Sequence, residues 1–213
     1  MEKICAKSIS GYDVEFMYPA QGDHEGSLIK EFFLIIMEKL SRIIYPNPQK
    51  EFHAGLCPVC GNTVEQIPDP LYQLPKKRRG DIYFTYDGFC LVSEKFKQFC
   101  DMKEYPNLTF IKLVNTYGYY YFMPNDIFEI DYVRSKTNFS NKRTCCGSWD
   151  EICGLANYKD ANYVLTTDDF IRRGRLLRGS HGKKGPDIIV GLKTFEDMKK
   201  YGLMGICSDD IFE

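Results

Sequence analysis

The sequence predicts an α+β fold: a mixed sheet with short helices, a long N-terminal helix and a metal-binding knuckle loop. Three observations lead there. Segments with helical spacing and segments with strand alternation follow one another without a regular βα order. The run from Leu28 to Ile43 carries apolar residues three and four apart. Cys57-Pro58-Val59-Cys60-Gly61 places two thiols two residues apart in a tight turn.

Gly11 to Tyr18 alternates weakly and predicts a first strand, followed by a polar loop from Gln21 to Gly26. Ser27 then precedes Leu28, Phe32, Ile35, Ile36, Leu40 and Ile43, one stripe on a long helix. The proline-rich loop Tyr45-Pro46-Asn47-Pro48 leads to the cysteine turn, and Pro68-Asp69-Pro70 follows it. Asp81 to Tyr86 is rich in strand formers, and Phe89 to Val92 runs apolar up to Ser93, a fitting N-cap for a helix over Glu94 to Met102. Leu108 to Val114 and Tyr119 to Met123 flank Asn115-Thr116-Tyr117-Gly118, the pattern of a hairpin. Phe128 to Val133 predicts a third strand, with Phe128, Ile130 and Tyr132 on one face and Glu129 and Asp131 on the other. Gly179 to Gly185 reads as a turn before a strand over Asp187 to Val190. Its lysines lack the spacing of a phosphate loop.

An internal echo runs through these elements. Leu91-Val92-Ser93-Glu94-Lys95-Phe96, a helix and Asn107 to Phe110 resemble Val190-Gly191-Leu192-Lys193-Thr194-Phe195, a helix and Gly202-Leu203-Met204-Gly205. Each reads as strand, helix, strand, as a duplication or a chance likeness of two units in one sheet. In the second copy Thr194 is expected to cap, Asp197 to close the box and Gly202 to end the helix. The organisation that follows is a strand and helix segment over 1–50 and an α+β domain over 51–213.

The chain of 213 residues can bury a core without disulfides. Nine cysteines, an odd number, and no apolar h-region near the N-terminus point to a reducing cytoplasm. The longest apolar run, Phe32 to Met37, is far too short to span a membrane. Formal net charge is −1, so no whole-molecule field favours nucleic acid. Charge is local instead: Lys76-Lys77-Arg78-Arg79 and Arg172 to Lys184 are basic, Asp126 to Asp131 and Ser208 to Glu213 acidic.

Two thiolates in a Cys-Pro-x-Cys-Gly turn reach one ion, and backbone N–H groups following the first cysteine soften their charge, which makes half of a tetrahedral zinc site. A redox pair would instead call for a strand end in a thioredoxin-like βαβ unit, and two ordinary thiols are the remaining reading. The second half comes from Cys145, Cys146 and Cys153 in Thr144-Cys145-Cys146-Gly147-Ser148-Trp149-Asp150-Glu151-Ile152-Cys153. The set assigned is Cys57, Cys60, Cys146 and Cys153 around a structural zinc, with Cys145 as the substitute. His53 is a further candidate ligand, four residues before Cys57.

The order of the Cys57 motif, a basic loop, Asp81-Ile82, Leu91 to Phe96, the second cysteine cluster, Asp168-Asp169-Phe170 and the close at Gly202-Leu203-Met204-Gly205 resembles the double-CxxCG-motif immunity proteins of bacterial swarming-inhibition toxin systems. The likeness runs from Cys57 to the C-terminus, and departs from the family at Cys145-Cys146-Gly147, where C-x-x-C-G is the pattern. It implies a small cytoplasmic protein that binds and neutralises a cognate toxin without catalysis, and the acidic strand residues point to a basic toxin such as a nuclease. On that reading Tyr119 and Tyr121, on one face of the hairpin, are the contact anchors, and Glu129 and Asp131 steer a basic partner. Both sets also read as ordinary sheet packing and a solvated strand face.

Two other functions are legible. Basic stretches beside a knuckle, Lys76 to Arg79 and Arg172-Arg173-Gly174-Arg175 with Arg178, His181, Lys183 and Lys184, suggest a nucleic-acid-binding zinc module. The near-neutral charge and the lack of a reading helix argue against it. An enzyme is disfavoured, because His24, His53 and His181 fall in no H-E-x-x-H pattern and no G-x-S-x-G elbow occurs.

Overall fold

Short β-branched and aromatic runs, each bounded by turn residues, form strands in the computed structural model. It describes residues 32–35 and 55–211, other than 69, 72–73, 75–79, 86–87, 155, 157, 181–182 and 207. In chain order the elements are β1 (Phe32–Ile35), β2 (Ile82–Phe84), β3 (Cys90–Ser93), α1 (Glu94–Lys103), β4 (Leu108–Lys112), β5 (Tyr119–Pro124), β6 (Ile127–Phe128), β7 (Asn138–Lys142), β8 (Trp149–Cys153), β9 (Ile171–Ser180), β10 (Lys183–Gly191), α2 (Leu192–Lys200) and β11 (Ser208–Ile211). The class is α+β, as expected from the mixed pattern. One sheet runs β2-β3-β5-β4, and the other β11-β1-β10-β9-β8-β7. Strand β6 joins β9 in parallel at Arg173 and Gly174, making the larger sheet mixed.

Of the stretch expected as a long helix, Phe32–Ile35 is described and forms β1, antiparallel to both β10 and β11. The rest of that stretch, and the strand expected over Gly11 to Tyr18, lie outside the described residues.

Helix α1 begins where the sequence places it. Ser93 is extended, and its hydroxyl accepts from the Phe96 N–H, 3.2 Å away, while donating to Asp81 Oδ1 at 2.7 Å. Phe96, Phe99 and Cys100 face inward. They meet Val92 and Phe122 from the small sheet, Ile171, Ile188 and Val190 from the large one, and Phe195 and Met198 from α2. This shared cluster welds the two sheets, and the edge-on pair Phe96–Phe122 has ring centroids 5.0 Å apart.

Both helices end alike. The Glu104 N–H bonds to Asp101 O and the Tyr105 N–H to Cys100 O. In α2 the Gly202 N–H bonds to Lys199 O and the Leu203 N–H to Met198 O. Each is a Schellman closure with a left-handed residue, Glu104 at φ 57° and Gly202 at φ 76°. The echo therefore holds for strand, helix and helix end, with Gly202 terminating as expected.

Three expectations are corrected. Helix α2 starts from Gly191, not Thr194, and Gly191 supplies no side-chain cap. Thr194 is buried in the first turn, where its hydroxyl meets Asp169 Oδ1 at 3.1 Å, while Asp197 pairs with Lys103 rather than closing a box. Gly202-Leu203-Met204-Gly205 is a turn and not a strand. The strand expected over Phe128 to Val133 stops at Phe128: Ile130 makes one bridge to Lys159, and the Asp131 carboxylate accepts from the Val133 and Arg134 N–H groups, turning the chain away. The β4–β5 hairpin pairs Leu108 with Pro124 through Lys112 with Tyr120, as its sequence predicts.

Strand β10 begins earlier than expected, at Lys183, and pairs along its length with β9. Pro186 sits beside a register shift between Pro186 and Ile188, where a missing N–H does least harm to the ladder. Upstream of the bulge Lys184 points inward and is buried.

Candidate metal centre

Two tight turns carry the cysteines. In the first, Leu56 and Thr63 form an antiparallel bridge, and the chain between them turns through Cys57 to Asn62. The Cys57 N–H bonds to Asn62 O at 2.8 Å and the Gly61 N–H returns to Cys57 O at 2.8 Å. Gly61 has φ +71°, a conformation in which an L side chain is strained. The second turn closes β7 and β8 after the Lys142–Trp149 pair. Within it the Arg143 N–H bonds to Ser148 O at 2.7 Å, the Gly147 N–H to Arg143 O at 2.8 Å, and Gly147 has φ +71°.

The turns face each other, and four sulfurs converge: those of Cys57, Cys60, Cys145 and Cys146 all lie within 4.8 Å of one another. Cys57 Sγ is 3.9 Å from Cys145 Sγ, and Cys60 Sγ is 3.7 Å from Cys146 Sγ. A disulfide would bring sulfurs to about 2.05 Å, so these are separate thiols. A zinc tetrathiolate with bonds of about 2.3 Å has S–S edges of about 3.8 Å. The residues present fit a tetrahedral ion of that kind, and they span the distance between chain segments 86 residues apart.

The fourth sulfur is that of Cys145, the substitute named from sequence, and Cys153 is not in the group. The reason is strand length. Cys153 pairs with Asn138 at the far end of β8, and the rise of about 3.3 Å per residue carries it roughly 13 Å along the strand from Trp149. His53 lies outside the described residues.

The surroundings of the sulfurs are polar. N–H groups of Cys60 and Val59 lower the pKa of Cys57, and the Ser148 hydroxyl and N–H bring Cys146 down to about 7. Cys145 is pushed up to about 12, first by its hydrogen bond with Cys60. Four like groups cannot all ionise together without a cation, whereas a bound divalent ion would deprotonate them outright. Asp150, buried on β8, holds both turns: it accepts from Asn62 Nδ2 at 2.9 Å and from Arg143, whose Nη2 is 2.6 Å from Oδ2. The buried Lys184 ammonium donates to Trp149 O beside the same group, its pKa lowered by burial and supported by the charge of Asp150 and of the sulfurs. Lys184 escaped the sequence reading because it belongs to a basic run. Its place on an alternating strand ahead of Pro186 and Ile188 was the available signal.

The residues expected to meet a partner are distributed differently. Tyr121 is buried among Leu74, Leu91 and Leu113. Tyr119 shares that face, half-buried, and its hydroxyl donates to Gly80 O at 3.0 Å. Tyr117, in the hairpin turn, is 89% exposed and Val114 69%. Glu129 pairs with Arg175, and Asp131 is taken up by its own turn. In the basic run, Arg178 is matched to Asp187, and Arg172 lies over Phe170 and Tyr163. Lys76 to Arg79 are outside the described residues, as is His181. A recess between the helices is lined by Phe99, Met102, Lys103, Asp197, Lys200 and Tyr201, and there Lys103 and Asp197 pair with each other.

No helix among the described residues is long and apolar enough to cross a membrane. Compared with known proteins, the chain matches no family model, no curated protein and no solved structure.

Proposed function

We propose that this protein is a non-catalytic binding protein of the immunity type, which silences a cognate toxin by covering it, and that one structural zinc ion clamps its two cysteine turns. The observation that carries the zinc reading is the fourfold thiol group. Four protein sulfurs complete a tetrahedron and leave no position for substrate, the arrangement of a structural centre rather than a catalytic one. Soft thiolates also favour zinc over magnesium or calcium.

The toxin partner rests on the motif resemblance, with its two cysteine-glycine turns. Contact is assigned to the exposed hairpin turn, Val114 and Tyr117, because Tyr121 serves the interior and Tyr119 is tied to Gly80. Tyr at such a position offers large contact area for little ordering cost. The acidic steering role expected of Glu129 and Asp131 is weakened, since Glu129 pairs with Arg175 and Asp131 caps its own turn. The nucleic-acid reading is the weaker one, because Arg175 and Arg178 are engaged by Glu129 and Asp187.

The test is co-expression of this chain with a toxin encoded by a neighbouring gene, scored by survival. Protection is expected, with a dissociation constant in the nanomolar range, about 12 kcal/mol. Tyr117→Ala should weaken the complex by about 2 kcal/mol with no loss of folded protein. Undiminished killing by the toxin in the presence of folded chain would reject the immunity role, and salt-sensitive retention on nucleic acid would then promote the alternative.

A further inference from the structure

The two cysteine turns are the same structure twice. Leu56 pairs with Thr63 as Lys142 pairs with Trp149. The Cys57 N–H to Asn62 O bond, 2.8 Å, has its counterpart in Arg143 to Ser148, 2.7 Å, and the Gly61 to Cys57 bond in Gly147 to Arg143, both 2.8 Å. Gly61 and Gly147 share φ +71°. Each correspondence uses one spacing of 86 positions, which sets Cys60 on Cys146, the sulfur pair 3.7 Å apart. The same spacing sets Cys57 on Arg143 and Val59 on Cys145.

One correspondence is therefore broken. The first turn donates sulfur from its first and fourth positions, Cys57 and Cys60. The second donates from its third and fourth, Cys145 and Cys146. Its first position holds Arg143, a cation that cannot ligate a metal and whose guanidinium is paired with Asp150, 10% exposed. The backbone at 143 nonetheless has the hydrogen bonds that orient Cys57 in the first turn.

We propose that position 143 is a vacated ligand position of a two-turn metal centre and that Cys145 supplies the fourth sulfur in its stead, so that Arg143→Cys hands the ligand role back. The proposal rests on the metal reading above. Its consequence is that one ion can be held in either of two ligand registers on an unchanged backbone.

The experiment uses the full chain, stripped of metal under reducing conditions and titrated with Co2+, whose visible and charge-transfer bands count thiolate ligands. Wild type is expected to bind one Co2+ with a four-sulfur spectrum. Cys145→Val, the residue the first turn has at that place, should lose that spectrum and about 100-fold or more in affinity. The double variant R143C/C145V should regain a four-sulfur spectrum within about tenfold of wild-type affinity. C153S should bind as wild type does. Circular dichroism with and without Co2+ follows the fold of each variant. A double variant that recovers neither spectrum nor fold with Co2+ overturns the proposal, as does C145V retaining four sulfurs by recruiting Cys153. A wild-type chain that takes up no Co2+ sinks the metal reading itself, a result separate from failure of the double variant alone.

Discussion

At the scale of single residues the four-cysteine group is set among charged side chains that are not part of it. A zinc tetrathiolate would carry two negative charges, and the ammonium of the buried Lys184 stands where the charges of Cys60 and Cys146 reach it. Lys184→Met keeps the length of the side chain and removes the charge. Its expected effect is a loss of about tenfold or more in metal affinity, measured by competition with a chromophoric chelator. Lys184→Met binding as tightly as wild type would show that Lys184 only fills space. The first half of the centre was legible in the sequence because Pro58 and Gly61 dictate a turn that brings Cys57 and Cys60 together. The second half was not. Cys145 and Cys153 are equally cysteine, and only the β7–β8 register decides which of them stands at the turn.

At the scale of elements, the helix ends differ in a way that can be tested. Glu104 occupies the left-handed position that Gly202 occupies in the other helix. Side-chain crowding there costs roughly 1–2 kcal/mol, partly offset by the extra unfolded-state entropy of glycine, about 0.5–1 kcal/mol. Glu104→Gly is expected to stabilise the chain by about 0.5–1 kcal/mol, read as a rise of about 1–3 °C in Tm. No rise would mean that Glu104 gains as much from its surroundings as it loses to strain. Local signals of this kind were readable. Ser93 fixed the start of α1, and the gap between Val114 and Tyr119 fixed the hairpin. The chain leaves the sheet after Phe128 although Phe128 and Ile130 are buried as the alternation predicts. Alternation reports a buried face, whereas a strand also needs a partner edge, and β9 offers β6 only Arg173 and Gly174.

At the scale of the molecule, the four-cysteine group lies apart from the core that joins the sheets. The central cluster of Val92, Phe96, Phe122, Val190 and Phe195 contains no cysteine of the centre. Chelation should therefore lower Tm without abolishing cooperative unfolding, because the remaining fold has its own buried apolar surface. Hydrogen exchange should locate the loss: faster exchange over 55–65 and 143–150, with α1, β3 and β5 still protected. Complete unfolding on chelation, or no change in either region, would contradict this arrangement. The seating of β1 has a different consequence, for the order in which the sheet is made. β1 lies between β10 and β11, with Ile35 opposite Ile188 on one side and Ser208 on the other. During synthesis its first neighbour emerges about 150 residues later, a wait of roughly 8–30 s at 5–20 residues per second. Neither backbone edge of this Phe-Phe-Leu-Ile segment has its native partner until then. The strand pairings of the small sheet are local and can form in the interval, while the apolar face it shares with Ile171, Ile188, Val190 and Phe195 still lacks its cover. A ribosome-bound chain thus presents an unpaired apolar strand beside a half-covered sheet, the condition in which a chaperone that binds extended apolar segments would engage it.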